Sequence, residues 1–139
     1  MNLLGKSCLV AVTVGVTCLF VSWSYIFIVR PIGHLGATIV FQFYDSADKP
    51  IATNITSFAV SERTPDGRWR PVWSLTGKER LKEITYGSEY RGLTETVAPK
   101  KLVSGKVYGA FASDGSGGSA GRYFRFKADG TMMFPNSPD

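Results

Sequence analysis

Side chains that could carry nucleophilic or acid–base chemistry are scarce in this sequence of 139 residues. Its single histidine, His34, closely follows a long apolar segment, and both cysteines, Cys8 and Cys18, lie inside that segment. A general base must be held rigidly within hydrogen-bond reach of its target, and a residue in a short connection is not held in that way. Cys–His and Ser–His–Asp catalysis, and zinc sites built on Cys and His, therefore lack their residues. We predict no catalytic residue, no metal site and no cofactor.

Carboxylates are more numerous but are spread along the chain. The four glutamates from Glu79 to Glu95 are interspersed with Lys and Arg, as they are on a solvated surface. Two acids that hydrolyse a glycoside must face each other across a cleft. The 104 residues after Leu35 leave little room for a deep one. We therefore expect a binding protein and not an enzyme.

A glycine cluster, DGSGGSAG, begins at Asp114. A phosphate-binding loop needs the pattern G-x-x-x-x-G-K-[ST] ahead of a helix, whereas Arg122 and a strand-like alternation follow here. We interpret the cluster as a hairpin tip beside an outward apolar strip that includes Gly109. A second sheet, or the tail around Met132–Phe134, is the alternative cover for that strip. The predicted partner-binding residues are Val107, Phe111, Asp114, Gly115, Gly117, Gly118 and Arg122.

The run Arg68-Trp69-Arg70 suggests a second kind of surface. Tryptophan flanked by arginine can stack on sugars or bases, so Arg68 and Arg70 are candidate contacts for a glycan or a polyanion. The alternative is structural, because Trp69, Trp73 and Leu75 fall on one face of a single predicted strand and can belong to the core.

The N-terminal segment contains no charged residue from Leu9 to Val29, which is 21 residues. As a helix it would span roughly 30 Å, the thickness of a bilayer's hydrocarbon core. We interpret residues 1–30 as a single transmembrane anchor and place the C-terminal domain outside the cytoplasm, at the inner membrane, in the usual layout of a signal anchor. A signal peptide cleaved after Ser24 is the alternative, although it would leave apolar residues through Val29 at the new terminus.

The net charge of +5 is modest. After His34 the chain has 14 Lys and Arg against 11 Asp and Glu, which suits a position near anionic lipid but is too weak a balance to indicate nucleic-acid binding. The expected partners are the membrane, crossed once, and a protein of the envelope. The sequence leaves the oligomeric state open.

The rest of the chain predicts strands and turns. Residues 31–36 are a juxtamembrane linker, residues 37–134 a β-domain and residues 135–139 a flexible tail. Pro71 predicts an edge strand or a bulge, and Lys78–Lys82 could form one helical turn. The predicted strands are Ala37–Tyr44, Ile55–Glu62, Trp69–Leu75, Glu83–Tyr86, Leu93–Val97, Lys106–Ser113, Arg122–Ala128 and Thr131–Phe134. Their spacing predicts an all-β, antiparallel, immunoglobulin-like sandwich of about seven strands.

The pattern Leu102-x-x-Gly105-x-x-Tyr108 resembles the tyrosine corner of fibronectin type III domains. The resemblance implies that the Tyr108 hydroxyl bonds to upstream backbone, that Gly105 is left-handed, and that Tyr108, Ala110 and Ala112 point inward. The family's tryptophan in the second strand is absent, so a transthyretin-like or other sandwich stays open.

The run from Gly67 to Gly87, with Trp69, Trp73 and Tyr86, resembles small bacterial envelope proteins that have one N-terminal apolar segment. We expect a membrane-anchored, extracytoplasmic protein-binding module, an accessory subunit of an envelope assembly. The alternatives are a periplasmic immunity or inhibitor protein directed against a toxin or hydrolase, and a carbohydrate or polyanion binder.

Overall fold

The structure is a computed structural model that describes residues 27–139. The strands are β1 (Phe27–Ile32), β2 (Val40–Asp45), β3 (Thr53–Arg63), β4 (Trp69–Leu81), β5 (Glu83–Thr85), β6 (Leu93–Val97), β7 (Val107–Ser113), β8 (Ser119–Phe126) and β9 (Met132–Met133). They form two antiparallel sheets, β1-β2-β5 and β6-β4-β3-β7-β8-β9. The all-β sandwich is confirmed, with nine strands in the described part where about seven were predicted.

The sandwich begins earlier than the sequence indicated. Residues 27–32, predicted to end the anchor and begin the linker, form β1 and pair with β2 along its whole length. Phe27 and Val29 are buried, because they alternate onto the inner face of the smaller sheet. The remainder of the predicted anchor lies outside the described residues. Within residues 27–139, no helix is long and apolar enough to cross a membrane.

The core lies between the two sheets and is rich in aromatic rings. Phe41 from β2 packs against Phe58 and Phe124 of the larger sheet, with ring centroids 5.1 and 5.8 Å apart. The predicted inward set on β7 is confirmed, since Tyr108, Ala110 and Ala112 are all buried. The small alanines leave room for Phe124 and Phe126 on β8, which are also buried, as predicted.

Strand β4 differs most from its prediction. Its register against β3 shifts between the pairs Val60–Trp73 and Ser61–Pro71, which leaves Val72 as the extra residue of a bulge. The bulge predicted from Pro71 is therefore confirmed. It reverses the side-chain alternation, so Trp73 is buried whereas Trp69 is half-buried on the other face. The prediction that both tryptophans share a face was wrong.

The helical turn predicted at Lys78–Lys82 was also wrong, because residues 78–81 continue β4. Three consecutive charged residues, Lys78 to Arg80, give no apolar periodicity. The sequence pattern alone therefore could not distinguish a turn of helix from a strand. The chain then enters β5, whose partner is β2 in the smaller sheet. This crossing joins the two sheets along one side of the sandwich.

The tyrosine corner has the predicted geometry. Gly105 is left-handed, with φ of +85°, and the Val103 N–H donates to the Tyr108 hydroxyl oxygen at 2.9 Å. Leu102 is buried beneath the corner. The connection between β6 and β7 is thereby fastened to the core.

The two ends of the sandwich are distinct. Phe27 begins β1 opposite Asp45 at the end of β2, and the next loop returns the chain to Thr53. The tip of the β7–β8 hairpin lies beside Ala52, Thr53 and Asn54. It therefore lies at the end where the chain enters the sandwich, called here the entry end. The β3–β4 turn and the tyrosine corner lie at the opposite end, the far end.

Candidate functional site

Three aromatic side chains cluster on the solvent-facing side of the larger sheet. Trp69 of β4 lies 5.3 Å from Phe111 of β7 in an edge-to-face pair, and 5.6 Å from Tyr123 of β8 in a near-parallel pair. All three are half-buried. The solvated face of an antiparallel sheet usually carries polar residues, so this aromatic cluster is an unusual feature of the face.

Two glycines create the space for the cluster. A Cβ atom added at Gly109 would lie 2.5 Å from the ring of Phe111 and 3.1 Å from that of Trp69. One added at Gly121 would lie 3.0 Å from Phe111. Because glycine has no side chain, the rings can lie across the strands and contact one another.

A depression of about 500 Å³ adjoins Phe111 on the same face. Its floor consists of small side chains that the register aligns across four strands, since Ser57 pairs with Thr76 and with Ser113, which in turn pairs with Ser119. The outer-face side chains around it are Ser57, Ala59, Ser74, Thr76, Ser113 and Ser119. The outer face therefore combines a half-buried aromatic cluster with a shallow hollow that is open to solvent.

The C-terminal segment lies against this face. Phe134, the residue that follows β9, lies under Arg122 on the other side of β8, with the guanidinium carbon 4.7 Å from the ring centroid. Pro135 and Asn136 border the same small hollow as Phe111 and Tyr123. The predicted flexible tail, residues 135–139, thus has defined neighbours. Neither cover predicted for the apolar strip is the main one, because Trp69 and Tyr123 of the same sheet contact Phe111.

Arg63 links the tail to the aromatic cluster. Its Nε and Nη2 atoms donate to one carboxylate oxygen of Asp139, at 3.3 and 3.1 Å. The guanidinium carbon lies 5.3 Å from the centre of the Trp69 ring. Arg63 is paired with Trp69 across β3 and β4, so the register holds this cation beside the indole.

A buried carboxylate organises the far end. Glu62 is only 6% exposed, and it accepts hydrogen bonds from Arg70 in β4, at 2.8 Å for Nε, and from Lys106, at 3.0 Å. Burial alone would raise the pKa of Glu62, but the hydrogen bonds and positive charges of Arg70 and Lys106 prevail and hold it below its usual value. The network joins three segments of the larger sheet.

The predicted glycan or polyanion contacts are not equivalent in the structure. Arg70 is engaged by Glu62, whereas Arg68 is 84% exposed and lies near Asp66 in the β3–β4 turn. Trp69, which separates them in sequence, is surrounded by Tyr123 and Arg63. The structure therefore does not bring Arg68, Trp69 and Arg70 together as one stacking site.

The glycine hairpin is closed by its first residue. The Asp114 carboxylate accepts hydrogen bonds from the Ser116 N–H and the Gly118 N–H, both at 2.9 Å, and from the Ser116 hydroxyl. Gly115 and Gly117 have positive φ. The tip lies at the entry end, whereas Val107 lies at the far end, the full length of β7 away. The predicted partner-binding residues therefore do not form one patch.

Sequence reasoning missed Arg63, Tyr123 and the tail. The inward prediction for Phe124 and Phe126 already places Tyr123 on the outer face. The position of Tyr123 beside Phe111 and Trp69 depends on strand order and on the bulge, which the alternation pattern does not encode.

The fold and this face define the class of the protein. It is an antiparallel β-sandwich, consistent with an immunoglobulin-like domain, whose larger sheet carries an aromatic cluster on its outer face. No protein-family model, curated protein or solved structure matches the chain.

Proposed function

We propose that this protein is a membrane-anchored, extracytoplasmic binding module, and that it binds a protein partner through the outer face of its larger sheet. The single observation that carries the proposal is the aromatic cluster of Trp69, Phe111 and Tyr123 beside the adjoining depression. Contiguous apolar surface on a solvated face often marks a contact site, and aromatic residues are enriched in protein interfaces. An accessory subunit of an envelope assembly fits these properties.

The geometry favours a protein partner over a glycan. A sugar-binding platform needs an aromatic face open to solvent, whereas Trp69 has Tyr123 and Arg63 beside its ring. The depression is lined by short hydroxyl and methyl side chains, which leave the sheet surface accessible to the side chains of another protein.

We further infer a relationship to fibronectin type III domains from Leu102, Gly105 and Tyr108, and a bacterial envelope location from the N-terminal apolar segment. With β1 starting at Phe27, the apolar run before the sandwich is Leu9–Ile26, or 18 residues. This length is within the range of about 17–25 residues that can span a bilayer as a helix.

The test is site-specific photocrosslinking in intact cells. A photoreactive amino acid replaces Ser119 or Thr76 beside the depression and, as a matched control, Glu83, which is exposed on the smaller sheet. We expect one defined adduct at the first two positions and none at the third. Adding Phe111→Thr should abolish that adduct while the circular dichroism spectrum of the purified chain remains that of the folded sandwich.

Two results would contradict the proposal. One is an absence of adducts at both outer-face positions, and the other is an adduct yield that Phe111→Thr leaves unchanged. An adduct formed only at Glu83 would indicate that the binding surface lies on the smaller sheet.

A further inference from the structure

We propose that the outer face binds a proline-containing segment of a partner protein that carries an acidic side chain, and that the chain's own tail, Pro135–Asp139, occupies this site in the free protein. The inference rests on the proposed function, since it takes the outer face as the binding surface. It adds the chemical nature of the segment that the partner supplies.

The first argument is the aromatic half of the site. Pro135 and Asn136 lie at the hollow formed with Phe111, Gly121 and Tyr123, and Pro135 is half-buried there. Grooves lined by aromatic rings bind proline-containing segments in several unrelated protein folds. The fixed φ of proline means that such a segment loses little conformational freedom when it binds.

The second argument is the charged half of the site. Pro138 and Asp139 border a hollow whose other walls include Arg63 and the ion pair between Glu62 and Lys106. The Arg63 side chain is only 20% exposed, whereas that of Asp139 is 75% exposed. The cation is therefore held by the sandwich beside Trp69, while the carboxylate is supplied by a segment at the surface. Any acidic side chain delivered to the same place could replace Asp139.

The third argument is that the tail can be displaced. Strand β9 ends at Met133, so the segment that follows it is not part of the sheet. Most of its residues are exposed, with only Pro135 and Pro138 half-buried. An ion pair to a carboxylate as exposed as that of Asp139 adds little stability, because water and salt screen it. A partner segment that made the same contacts and added its own could compete with the tail.

The site also has a suitable position. Arg63, Lys106 and the tail lie toward the far end, opposite the point at which the chain enters the sandwich at Phe27. If the segment before Phe27 is the membrane anchor, the far end is directed away from the bilayer. Partners in the surrounding compartment would then meet this end first.

The experiment uses the full chain in detergent micelles and a synthetic peptide with the sequence Phe-Pro-Asn-Ser-Pro-Asp, blocked at both termini. The variant Pro138→Gly/Asp139→Ala loosens the tail within the intact chain. The indole N–H resonance of Trp69 reports on the site. The resonance of Trp73, which is buried and donates to Glu95 at 3.0 Å, serves as an internal reference.

We expect the peptide to shift the Trp69 resonance, but not that of Trp73, in the loosened variant. The intact tail competes at an effective concentration in the millimolar range, so the unmodified chain should need roughly tenfold more peptide. Replacing the peptide's aspartate by asparagine, or Arg63 by alanine, should weaken binding about fivefold. Arg68→Ala is the matched control for a nearby exposed arginine and should change nothing.

The proposal is overturned if the Trp69 resonance does not respond at millimolar peptide, or if the aspartate and asparagine peptides bind equally. It is also overturned if the full chain is a dimer that Asp139→Ala dissociates, because the segment would then come from a second copy. A defined photocrosslinked adduct at Ser119 without peptide binding would refute this inference alone and leave the proposed function standing.

Discussion

Two phenols fasten the connection between β6 and β7. The Tyr86 hydroxyl donates to the Lys100 carbonyl oxygen at 2.6 Å, and the Tyr108 hydroxyl accepts from the Val103 N–H at 2.9 Å. Burial raises the pKa of both groups, and that of Tyr86 reaches about 12. An ionised phenol would be poorly solvated at either position. Ionised Tyr86 could also no longer donate a hydrogen bond to the Lys100 carbonyl oxygen.

Tyr86→Phe should lower the free energy of unfolding at pH 8 by about 1 kcal/mol, because it removes the hydrogen bond to Lys100. A raised folded-state pKa means that the contribution is fully present below pH 10 and is lost as pH rises towards about 12. Urea titrations between pH 8 and 12 should therefore show a steeper alkaline loss of stability in the unmodified chain than in the variant.

The matched control is Tyr44→Phe, because the Tyr44 hydroxyl donates to the side-chain oxygen of Gln42, two residues away on the same strand. This variant should retain the alkaline loss. If Tyr86→Phe and the unmodified chain respond identically to pH, the Tyr86 phenol does not control the transition.

At the scale of elements, Glu62 connects β3 with β4 and with the start of β7 through Arg70 and Lys106. The carboxylate is nearly inaccessible, whereas its two cationic partners are half exposed or more. Removing the negative charge therefore frees cations that water can solvate, and this limits the penalty.

Stability should fall in acid, because protonation removes the negative charge through which Glu62 holds Arg70 and Lys106. A folded-state pKa below the ordinary value of 4.5 means that Glu62 stabilises the fold above that pH, and the contribution is lost as pH falls through the folded-state pKa. Glu62→Gln should cost about 1–2 kcal/mol at pH 7 and reduce the acid dependence measured by urea unfolding from pH 7 to 3. Glu83→Gln, at an exposed position, should leave both unchanged. An unaltered acid dependence in Glu62→Gln would assign the effect to other carboxylates.

At the scale of the whole molecule, strand β1 begins inside the segment that the sequence predicted as an anchor. The predicted linker, residues 31–36, does not precede the sandwich as a spacer, because Phe27 is already part of the sheet. Since Phe27 and Val29 belong to the core, the objection that cleavage after Ser24 would expose an apolar terminus no longer holds. A chain cleaved after Ser24 would still contain the whole of β1.

We expect the chain to keep its anchor with the sandwich outside the cytoplasm. An alkaline phosphatase fusion after Asp139 should be active, and the intact mass of the membrane-extracted protein should include residues 1–24. An inactive fusion would reverse the orientation. A mass that corresponds to a chain starting at Tyr25, with the protein in the soluble fraction, would show that the protein is secreted and not anchored.

Local patterns predicted much of the fold. Alternation located the inward sides of β2, β3 and β7, and Leu102, Gly105 and Tyr108 predicted a corner whose hydrogen bond is present. These predictions succeeded because side-chain period and turn conformation are properties of neighbouring residues. The prediction was wrong at β1, because a continuous apolar run is compatible both with a membrane helix and with a buried strand.

The amino-acid sequence by itself determined the all-β class, the inward faces of the main strands and the tyrosine corner, because each depends on contacts within a few residues. Only the tertiary structure decided that Trp69 faces outward, since the bulge at Val72 changes the register. It alone brought Phe111, Tyr123 and Arg63 together and laid the tail beside them. Those contacts join residues as far as 76 positions apart, as Arg63 and Asp139 are, and strand order rather than local pattern creates them.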